Sequence, residues 1–406
     1  MPAAPVAHSA DEPGATASAI QVNVDRVLVP VVVRDRNGRT VGGLKQEDFK
    51  VFDNDKPRAI IGFLEERRGA ERAGNPGASG SFRQTPPSDG QGLPSRIIVF
   101  LFDDLHLSFE DIAYAQKAAS KVVDGLGSSD LAAVVSTSGR INSGLTRDSA
   151  KLREALTAIR PEGIYRTDLS DCPKIDYYQA DLIENKNDVP ALQDAVTQVM
   201  TVCNPNLPAN LAEMNVHSSA RRALNLGSLD VKATYSSTSE FVRRIAKMPG
   251  ERTLVLVSSG FPSIEEESRI LESRLIDLAA QSDVAINAID ARGLYGTSLT
   301  ASDDMRSRDP ALVADYRRAS MKLAEDSMGE LADGTGGMFF HNNNDLDAGF
   351  RKLTDASDTV YLLELSLDGV KMDGTYHRLK VKVNQSGLDL NARRGYFAPR
   401  PKKFDK

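Results

Sequence analysis

The fold of this chain is decided by one stretch, Ile97-Ile98-Val99-Phe100-Leu101-Phe102-Asp103-Asp104. Six consecutive apolar residues without polar alternation are typical of a strand buried on both faces, as in the middle of a parallel sheet. The run ends in two adjacent carboxylates, and open α/β sheets bind ligands at the carboxyl ends of their strands. The stretch therefore predicts a central parallel strand with a candidate site at its end.

Strands and helices alternate on the C-terminal side of this stretch. Apolar residues at helical spacing predict a helix from Phe109 to about Leu126, and Leu131 to Ser136 has the composition of a second buried strand. The same alternation continues through a predicted helix, 149–159, a helix, 231–248, a strand, 252–257, a helix, 264–281, a strand, 284–289, a helix, 312–331, a strand, 338–340, and a helix, 346–353. This order predicts the α/β class, with a doubly wound, mostly parallel, Rossmann-like sheet.

Both ends of the chain have the composition of antiparallel strands. Val22 to Val33 is rich in valine, and Arg378 to Val383 alternates basic and apolar residues. Each end is too small to hold a core alone, so we expect the two to pack into one β-sandwich that the α/β domain interrupts. Two separate small sheets are the alternative. The predicted organisation is a disordered N-terminus, 1–20, an N-terminal sandwich segment, 21–65, a flexible linker, 66–94, the α/β domain, 95–357, with an insertion, 163–230, and a C-terminal sandwich segment, 358–400.

Composition excludes several classes of protein. The 406 residues carry a net charge of -6, which gives no electrostatic basis for binding a nucleic acid backbone. No apolar run is long enough for a transmembrane segment. The chain has 2 Cys and no two His at the spacing of a zinc protease helix, so zinc modules are not expected.

Asp103 and Asp104 are the best candidates for a functional site, because carboxylate oxygens suit a hard divalent cation. Ser108 follows closely and is a further candidate ligand, but Ser108 and Asp111 also have the spacing of a helix capping box. Ser263 and Glu266 have that spacing as well.

Two further loops are expected to reach the same edge of the sheet. Thr146, in the loop 143–148, offers a hydroxyl to a cation, although either Thr146 or Asp148 equally suits the cap of the next helix. Ser259 lies in the loop 258–263, directly after another predicted strand.

Taken together, these motifs resemble a von Willebrand factor type A (VWA) domain, and in particular the VWA-related proteins that recur in Acidobacteria. The resemblance covers nearly the whole chain, from about residue 22 to 398. The matching stretches are Val27–Asp35, Gly43–Phe49, Phe102–Leu105, Leu331–Gly337, Asn344–Leu346 and Arg393–Phe397.

The resemblance implies a protein-binding domain with a metal-ion-dependent adhesion site for Mg²⁺ or Ca²⁺. The family pattern is Asp-x-Ser-x-Ser, a Thr in a second loop and an Asp in a third. Here Asp103 matches the first Asp, but Leu105 and Leu107 stand where the two Ser belong. A frame that starts at Asp104 recovers Ser108 and puts His106 at the first Ser. Thr146 matches the Thr, whereas the third-loop Asp is absent, so the implied site is degenerate.

The cysteines and the N-terminus bear on the compartment. Cys172 and Cys203 lie in the same polar insertion, and their spacing alone permits either a disulfide or two free thiols. The resembled group is usually exported, which favours the disulfide and a secreted or periplasmic location. Met1 to His8 does not have the pattern of a signal peptide, so either the protein is cytosolic or a signal has been removed.

Three functions are therefore open. The first is an exported, non-enzymatic VWA-type adhesion module that binds a protein or cell-surface ligand through its upper loops. The second is a Mg²⁺-dependent phosphoryl-transfer or hydrolytic enzyme, which needs the carboxylates of Asp103, Asp104 and Asp290 to converge. The third is a structural assembly protein.

Overall fold

The computed structural model describes residues 26–36, 39–67, 94, 96–127, 130–163, 172–294, 309–354 and 359–399. The predicted N-terminal segment 1–20 lies outside these ranges, as does most of the predicted linker 66–94. The strands are β1 Arg26–Arg34, β2 Phe49–Asp53, β3 Lys56–Arg58, β4 Ile60–Arg67, β5 Arg96–Phe102, β6 Asp130–Ser136, β7 Glu251–Ser258, β8 Val284–Asp290, β9 Phe339–Phe340, β10 Thr359–Ser366, β11 Tyr376–Val383, β12 Asp389–Ala392 and β13 Gly395–Phe397. The helices are α1 Phe109–Asp124, α2 Ser149–Ala158, α3 Tyr177–Glu184, α4 Val189–Gln198, α5 Ala209–Ile245, α6 Glu266–Gln281, α7 Pro310–Gly334 and α8 Leu346–Thr354.

A five-stranded parallel sheet forms the centre of the molecule, in the order β6-β5-β7-β8-β9. From Ile97 to Phe102 every side chain of β5 is buried, because helices cover both faces of the sheet. One face packs against α1, α2 and α8, and the other against α5, α6 and α7. The predicted α/β class with a central parallel sheet is confirmed.

The two ends of the chain form two antiparallel sheets with shared strands. One sheet has the order β12-β1-β10-β4, and the other has the order β13-β11-β2-β3. β1 pairs with both β10 and β12, so the N-terminal strand lies between two C-terminal strands. Apolar side chains of both sheets contribute to a single core that includes Val29, Phe49 and Tyr361. The antiparallel character predicted for both ends is confirmed.

A buried arginine connects these sheets to the parallel domain. Arg393 follows β12, and its guanidinium donates to Gly395 O at 2.9 Å and to Leu28 O at 3.4 Å. The same guanidinium forms an ion pair with Asp277 on α6 and donates to Ser273 Oγ at 3.4 Å. A buried guanidinium needs such acceptors, because burying it without them is costly. Arg393 therefore fixes the C-terminal strands against α6.

The predicted insertion is more regular than its polar sequence suggests. Between residues 172 and 245 it contains α3, α4, a π-helical turn at Val199–Cys203, and α5, whose C-terminal portion is the helix predicted at 231–248. Asp176 and Asp188 cap α3 and α4 by accepting backbone hydrogen bonds, which explains where these helices begin. Cys172 and Cys203 form a disulfide with Cα atoms 5.6 Å apart, which confirms the predicted bridge.

Within the described ranges, no helix combines the length and the apolar composition needed to cross a membrane.

Candidate functional site

The carboxylates of Asp103 and Asp104 lie where the sequence predicted, at the carboxyl edge of the parallel sheet. Both side chains are buried. Asp103 directly follows β5 and is adjacent to β7, because its backbone N–H donates to Val257 O at 2.8 Å. Buried carboxylates at this edge require compensating donors, and the donors come from four different segments.

Asp103 accepts four hydrogen bonds from side chains. His106 Nδ1 lies 2.8 Å from Asp103 Oδ2, and Ser258 Oγ donates to the same oxygen at 2.7 Å. Thr137 Oγ1 and Thr234 Oγ1 each donate to Asp103 Oδ1 at 3.1 Å. Both carboxylate oxygens are therefore occupied by protein donors. We call these five residues, Asp103, His106, Thr137, Thr234 and Ser258, the Asp103 cluster.

Asp103 and His106 each favour the charged form of the other. Burial acts to raise the pKa of the Asp103 carboxyl, but the charge and hydrogen bond of His106, with the Ser258 and Thr234 hydroxyls, hold that pKa below its usual value. Burial acts to lower the pKa of His106, but Asp103 raises it, with smaller contributions from the charges of Asp230 and Asp104. The lowered pKa of Asp103 and the raised pKa of His106 both favour a carboxylate next to an imidazolium.

Asp104 shares the Thr137 hydroxyl with Asp103 and has a further donor, Ser138, directly after β6. Thr137 Oγ1 and Ser138 N donate to Asp104 Oδ1 at 2.8 and 2.9 Å, and Ser138 Oγ donates to Oδ2 at 2.5 Å. The backbone carbonyl of Asp104 accepts from Glu162 N at 2.7 Å. Asp104 thus joins the β5 and β6 ends to the segment after α2.

Ser108 and Ser259 are both engaged away from the two carboxylates. Asp111 N donates to Ser108 Oγ at 3.1 Å, and Ser108 N donates to Asp111 Oδ2 at 3.3 Å, so the capping-box interpretation of Ser108 is confirmed. Ser259 lies at the correct edge, but its hydroxyl donates to the backbone O of His106 at 2.9 Å. The preceding residue, Ser258, contacts Asp103 instead.

Thr146 is far from this edge, so the prediction that its loop reaches the site is wrong. Its backbone exchanges hydrogen bonds of 2.8 and 3.0 Å with Ala132, near the start of β6. Ala132 pairs with Ile98, which lies 103 − 98 = 5 residues before Asp103, or roughly 16 Å at about 3.3 Å per residue. The loop folds back along β6 because its segment 141–146 pairs with that edge strand. Asp148 caps α2, which was one of the two alternatives for this loop.

The capping box predicted for Ser263 and Glu266 is wrong. Helix α6 begins at Glu266 with Glu265 before it and no side-chain cap. Ser263 Oγ is hydrogen-bonded to the Tyr235 hydroxyl instead, because the loop turns toward α5 before the helix begins.

Asp290 does not join the two carboxylates. It ends β8 and pairs in register with Ser258, so β7 lies between Asp290 and Asp103, which places the two about 10 Å apart across the sheet. Its carboxylate forms a two-point contact with Arg292, at 2.9 and 2.6 Å. The convergence that the phosphoryl-transfer hypothesis needs is not present in this arrangement.

The residues at this edge do not fit a divalent cation. Both oxygens of Asp103 accept from protein donors, and Leu105 and Leu107 occupy the positions where the resembled pattern has Ser. Leu107 is buried in the core. In the part of the chain that the structure describes, no group of three or more His, Cys, Asp or Glu side chains is arranged to hold a metal ion.

Sequence analysis missed most of the donors in the Asp103 cluster. Thr137 follows β6 directly, so the rule that pointed to Asp103 was available for Thr137 as well. Thr234 is different, because it comes from the long helix α5, and nothing local in the sequence indicates that it faces the site. Comparison with known proteins adds no functional residue, since neither a protein-family model nor a curated protein matches this chain.

Proposed function

We propose that this chain is an exported, non-enzymatic VWA-type module that binds a protein or cell-surface ligand without a bound cation. The supporting observation is a group of exposed apolar side chains at the carboxyl edge of the parallel sheet, the edge at which open α/β sheets bind ligands. Phe109, Tyr114 and Leu294, which we call the edge patch, are 65%, 44% and 59% exposed. Exposed aromatic and aliphatic anchors are typical of protein interfaces.

Tyr114 and Leu294 both contact Asn344. The Tyr114 hydroxyl donates to Asn344 O, and Leu294 N donates to Asn344 Oδ1 at 2.6 Å. Both contacts are made with the segment after β9, which therefore links α1 to the residues that follow β8. Phe109 is the first residue of α1, at the same edge. A preorganised apolar surface of this kind lowers the entropic cost of binding.

The internal pairing of Asp103 is the reason to propose binding without a cation. A cation-dependent site needs carboxylate and hydroxyl oxygens that are free to coordinate the metal. Here His106 and three hydroxyls meet Asp103 from within the protein. The disulfide between Cys172 and Cys203 supports the proposed export, because such bonds persist in oxidising compartments. We also propose that the two antiparallel sheets form a β-sandwich around their common core.

Capture experiments with matched variants test this function. The immobilised protein is exposed to envelope and secreted fractions of the source cell, with and without EDTA. We expect the double variant Tyr114→Asp, Leu294→Asp to lose the captured partner and EDTA to have no effect. The control is Leu229→Asp on α5, an equally exposed leucine, at 53%, outside the edge patch. The proposal is contradicted if the double variant still captures the partner, or if EDTA abolishes capture by the wild-type protein.

A further inference from the structure

We propose that the cleft between helices α6 and α7 and the C-terminal strands is a binding site for a small organic amine, an ammonium group on an apolar or aromatic body. The cleft has a volume of about 750 Å³, within the range of about 300–1,000 Å³ typical of small-molecule sites. It lies where the parallel domain meets the β13-β11-β2-β3 sheet, and ligand sites often occur at such junctions. This cleft is separate from the edge patch, so the inference goes beyond the proposed function.

The apolar walls of the cleft suit the body of such a ligand. Ile276 of α6 and Leu323 of α7 line the helical side. Tyr376 and Phe397 line the opposite side, where their rings meet edge to face with centroids 5.1 Å apart. Aromatic faces attract ammonium groups as well as apolar groups, so the walls are compatible with both portions of an organic cation.

The basic side chains of the cleft are already engaged. Arg394 contacts Glu330 through its backbone N at 3.0 Å and its Nε at 3.4 Å, and its Nη1 lies 3.5 Å from Asp326. Arg269 donates to the backbone carbonyls of Ser263 and Ile264, at 3.3 and 3.2 Å. Among the residues that the structure describes, the lining has these two arginines and five acidic residues, Glu266, Glu272, Asp326, Glu330 and Asp373. The lining therefore carries an excess of negative groups and suits a cation.

Glu272 supplies the specific acceptor. Its Oε1 is buried and, among the described residues, has no hydrogen-bond partner. Buried polar atoms are nearly always paired, so an unpaired carboxyl oxygen in the wall of a cleft indicates a partner that comes from outside the chain. An ammonium group supplies three donors and the opposite charge. Glu266 and Glu272 line the same cleft, but Glu266 is exposed to solvent.

The protonation state of Glu272 provides a measurable consequence of binding. Burial and the charge of Glu330 raise the pKa of Glu272 to about 8, while a hydrogen bond from Tyr235 to the carboxyl and the charges of Arg269 and Arg394 act in the opposite direction. Glu272 is therefore mostly protonated at about pH 7. An ammonium group beside Glu272 favours its ionised form, so we expect the carboxyl to release its proton to the solvent when the amine binds.

Calorimetric titration with 2-phenylethylamine tests the site. We expect saturable binding to the wild-type protein at millimolar concentrations or below, with release of nearly one proton at about pH 7, measured as a difference in heat between phosphate and Tris buffers. We expect Glu272→Gln to bind about tenfold more weakly and to release no proton, because one charge-assisted hydrogen bond is lost. 2-Phenylethanol, which has the same ring but no charge, should also bind about tenfold more weakly.

The variant Glu266→Gln is the matched control, since it removes an exposed carboxylate from the same cleft and should change the affinity less than about twofold. Circular dichroism checks that both variants keep the wild-type fold. Three results overturn the proposal: no saturable binding of 2-phenylethylamine to the wild type, equal affinity of wild type and Glu272→Gln, or binding of 2-phenylethanol as tight as that of the amine. None of these results bears on capture at the edge patch, so the two proposals fail independently.

Discussion

Two carboxyl groups of this protein, that of the buried Asp103 and that of the half-buried Glu272, have opposite environments. Asp103 accepts hydrogen bonds from His106 and three hydroxyls, and its pKa is lowered. Glu272 keeps a buried oxygen without a partner among the described residues, and its pKa is raised to about 8. Burial alone therefore does not set the charge of an acid, because the charge of its neighbour, His106 for Asp103 and Glu330 for Glu272, and the hydrogen-bond donors around it decide between the ionised and the neutral form.

The same comparison separates two roles. A carboxylate whose acceptor capacity is filled by its own chain connects segments that are distant in sequence, as Asp103 connects β5 to α5 and β7. A carboxyl that keeps one buried oxygen unpaired costs folding free energy, and that cost is offset when a donor reaches this oxygen. On this view Asp103 stabilises the fold, whereas Glu272 is available to a ligand.

The largest effect should come from Asp103→Ala. The change leaves the His106 imidazole and the Ser258 hydroxyl without their carboxylate partner, whereas Thr137 and Thr234 keep a second acceptor in Asp104 and in the Asp230 carbonyl. Breaking a buried charged network typically costs about 3–5 kcal/mol. We expect the free energy of unfolding, measured in urea at about pH 7, to fall by about 4 kcal/mol. Asp111→Ala, which removes only the capping box of α1, should cost about 1 kcal/mol. A loss for Asp103→Ala no larger than that of the control would mean that the Asp103 cluster is not stabilising.

The second effect has the opposite sign and belongs to Glu272→Gln. Because the pKa of Glu272 rises from 4.5 to about 8 on folding, the native state holds a proton that the unfolded state has lost between these values. Stability from this group is complete below the unfolded pKa and is lost as the pH rises through the native one. The variant lacks this loss, so at about pH 8 it should be more stable than the wild type by about 2 kcal/mol, discounted for partial solvation.

The measurement for Glu272→Gln is a series of urea unfolding curves from about pH 5 to about pH 8. Near the lower limit the variant and the wild type should be equally stable, since a protonated Glu and a Gln are similar in shape. Glu266→Gln should show no such dependence on pH, because Glu266 is exposed. If Glu272→Gln destabilises the protein at about pH 8, the carboxylate has a partner there and the contrast with Asp103 is lost.

The sequence predicts the strands and helices around Asp103 better than it predicts the contacts that its carboxylate makes. The apolar run 97–102 predicts a strand buried on both faces, because such runs have few other stable locations. The predicted helix from Phe109 to about Leu126 is observed at Phe109–Asp124, since periodicity and the Ser108 cap are both local signals. Asp103 and Asp104 are also found at the predicted edge of the sheet.

The remaining chemistry depends on contacts between distant segments. Thr234 reaches Asp103 across 131 positions of the chain, which no local pattern records. Glu272 reads as an ordinary charged residue of an amphipathic helix, and it becomes buried because the C-terminal strands pack over α6. Thr146 has the expected sequence context but lies at the other end of β6, because loop direction is set by backbone pairing with that strand.

A smaller effect on the free energy of unfolding should separate the contributions of His106 and Asp103, because the two are lost in different ranges of pH. His106 has a raised pKa, so its stabilising charge is present below about pH 6.5 and is lost as the pH rises through the native value. Asp103 has a lowered pKa, so its contribution is lost only as the pH falls below its usual value near 3.8. Since Glu272 also reduces stability as the pH rises, the His106 effect is best measured in the Glu272→Gln background.

In that background we expect a residual loss of stability on the order of 1–2 kcal/mol above about pH 6.5, the size of one charge-assisted hydrogen bond. Adding His106→Gln should remove this loss and flatten the curve, because Gln donates a hydrogen bond but does not titrate. His341→Gln is the control, because His341, directly after β9, is exposed and lies outside the Asp103 cluster. An unchanged slope after His106→Gln would assign the loss to another group.

The smallest expected effect is that of divalent cations on the wild-type protein. A ligand that binds the native state alone stabilises it by RT ln(1 + [L]/Kd), or about 1.4 kcal/mol for a tenfold excess over Kd. Because the oxygens of Asp103 already accept from four side chains, we expect about 10 mM Mg²⁺ or Ca²⁺ to change the free energy of unfolding by less than about 0.3 kcal/mol. His106→Ala removes the internal cation while leaving Asp103 in position. A cation-dependent gain in this variant but not in the wild type would show that His106 takes the place of a metal ion, and a gain in the wild type would contradict the proposed cation-independent site.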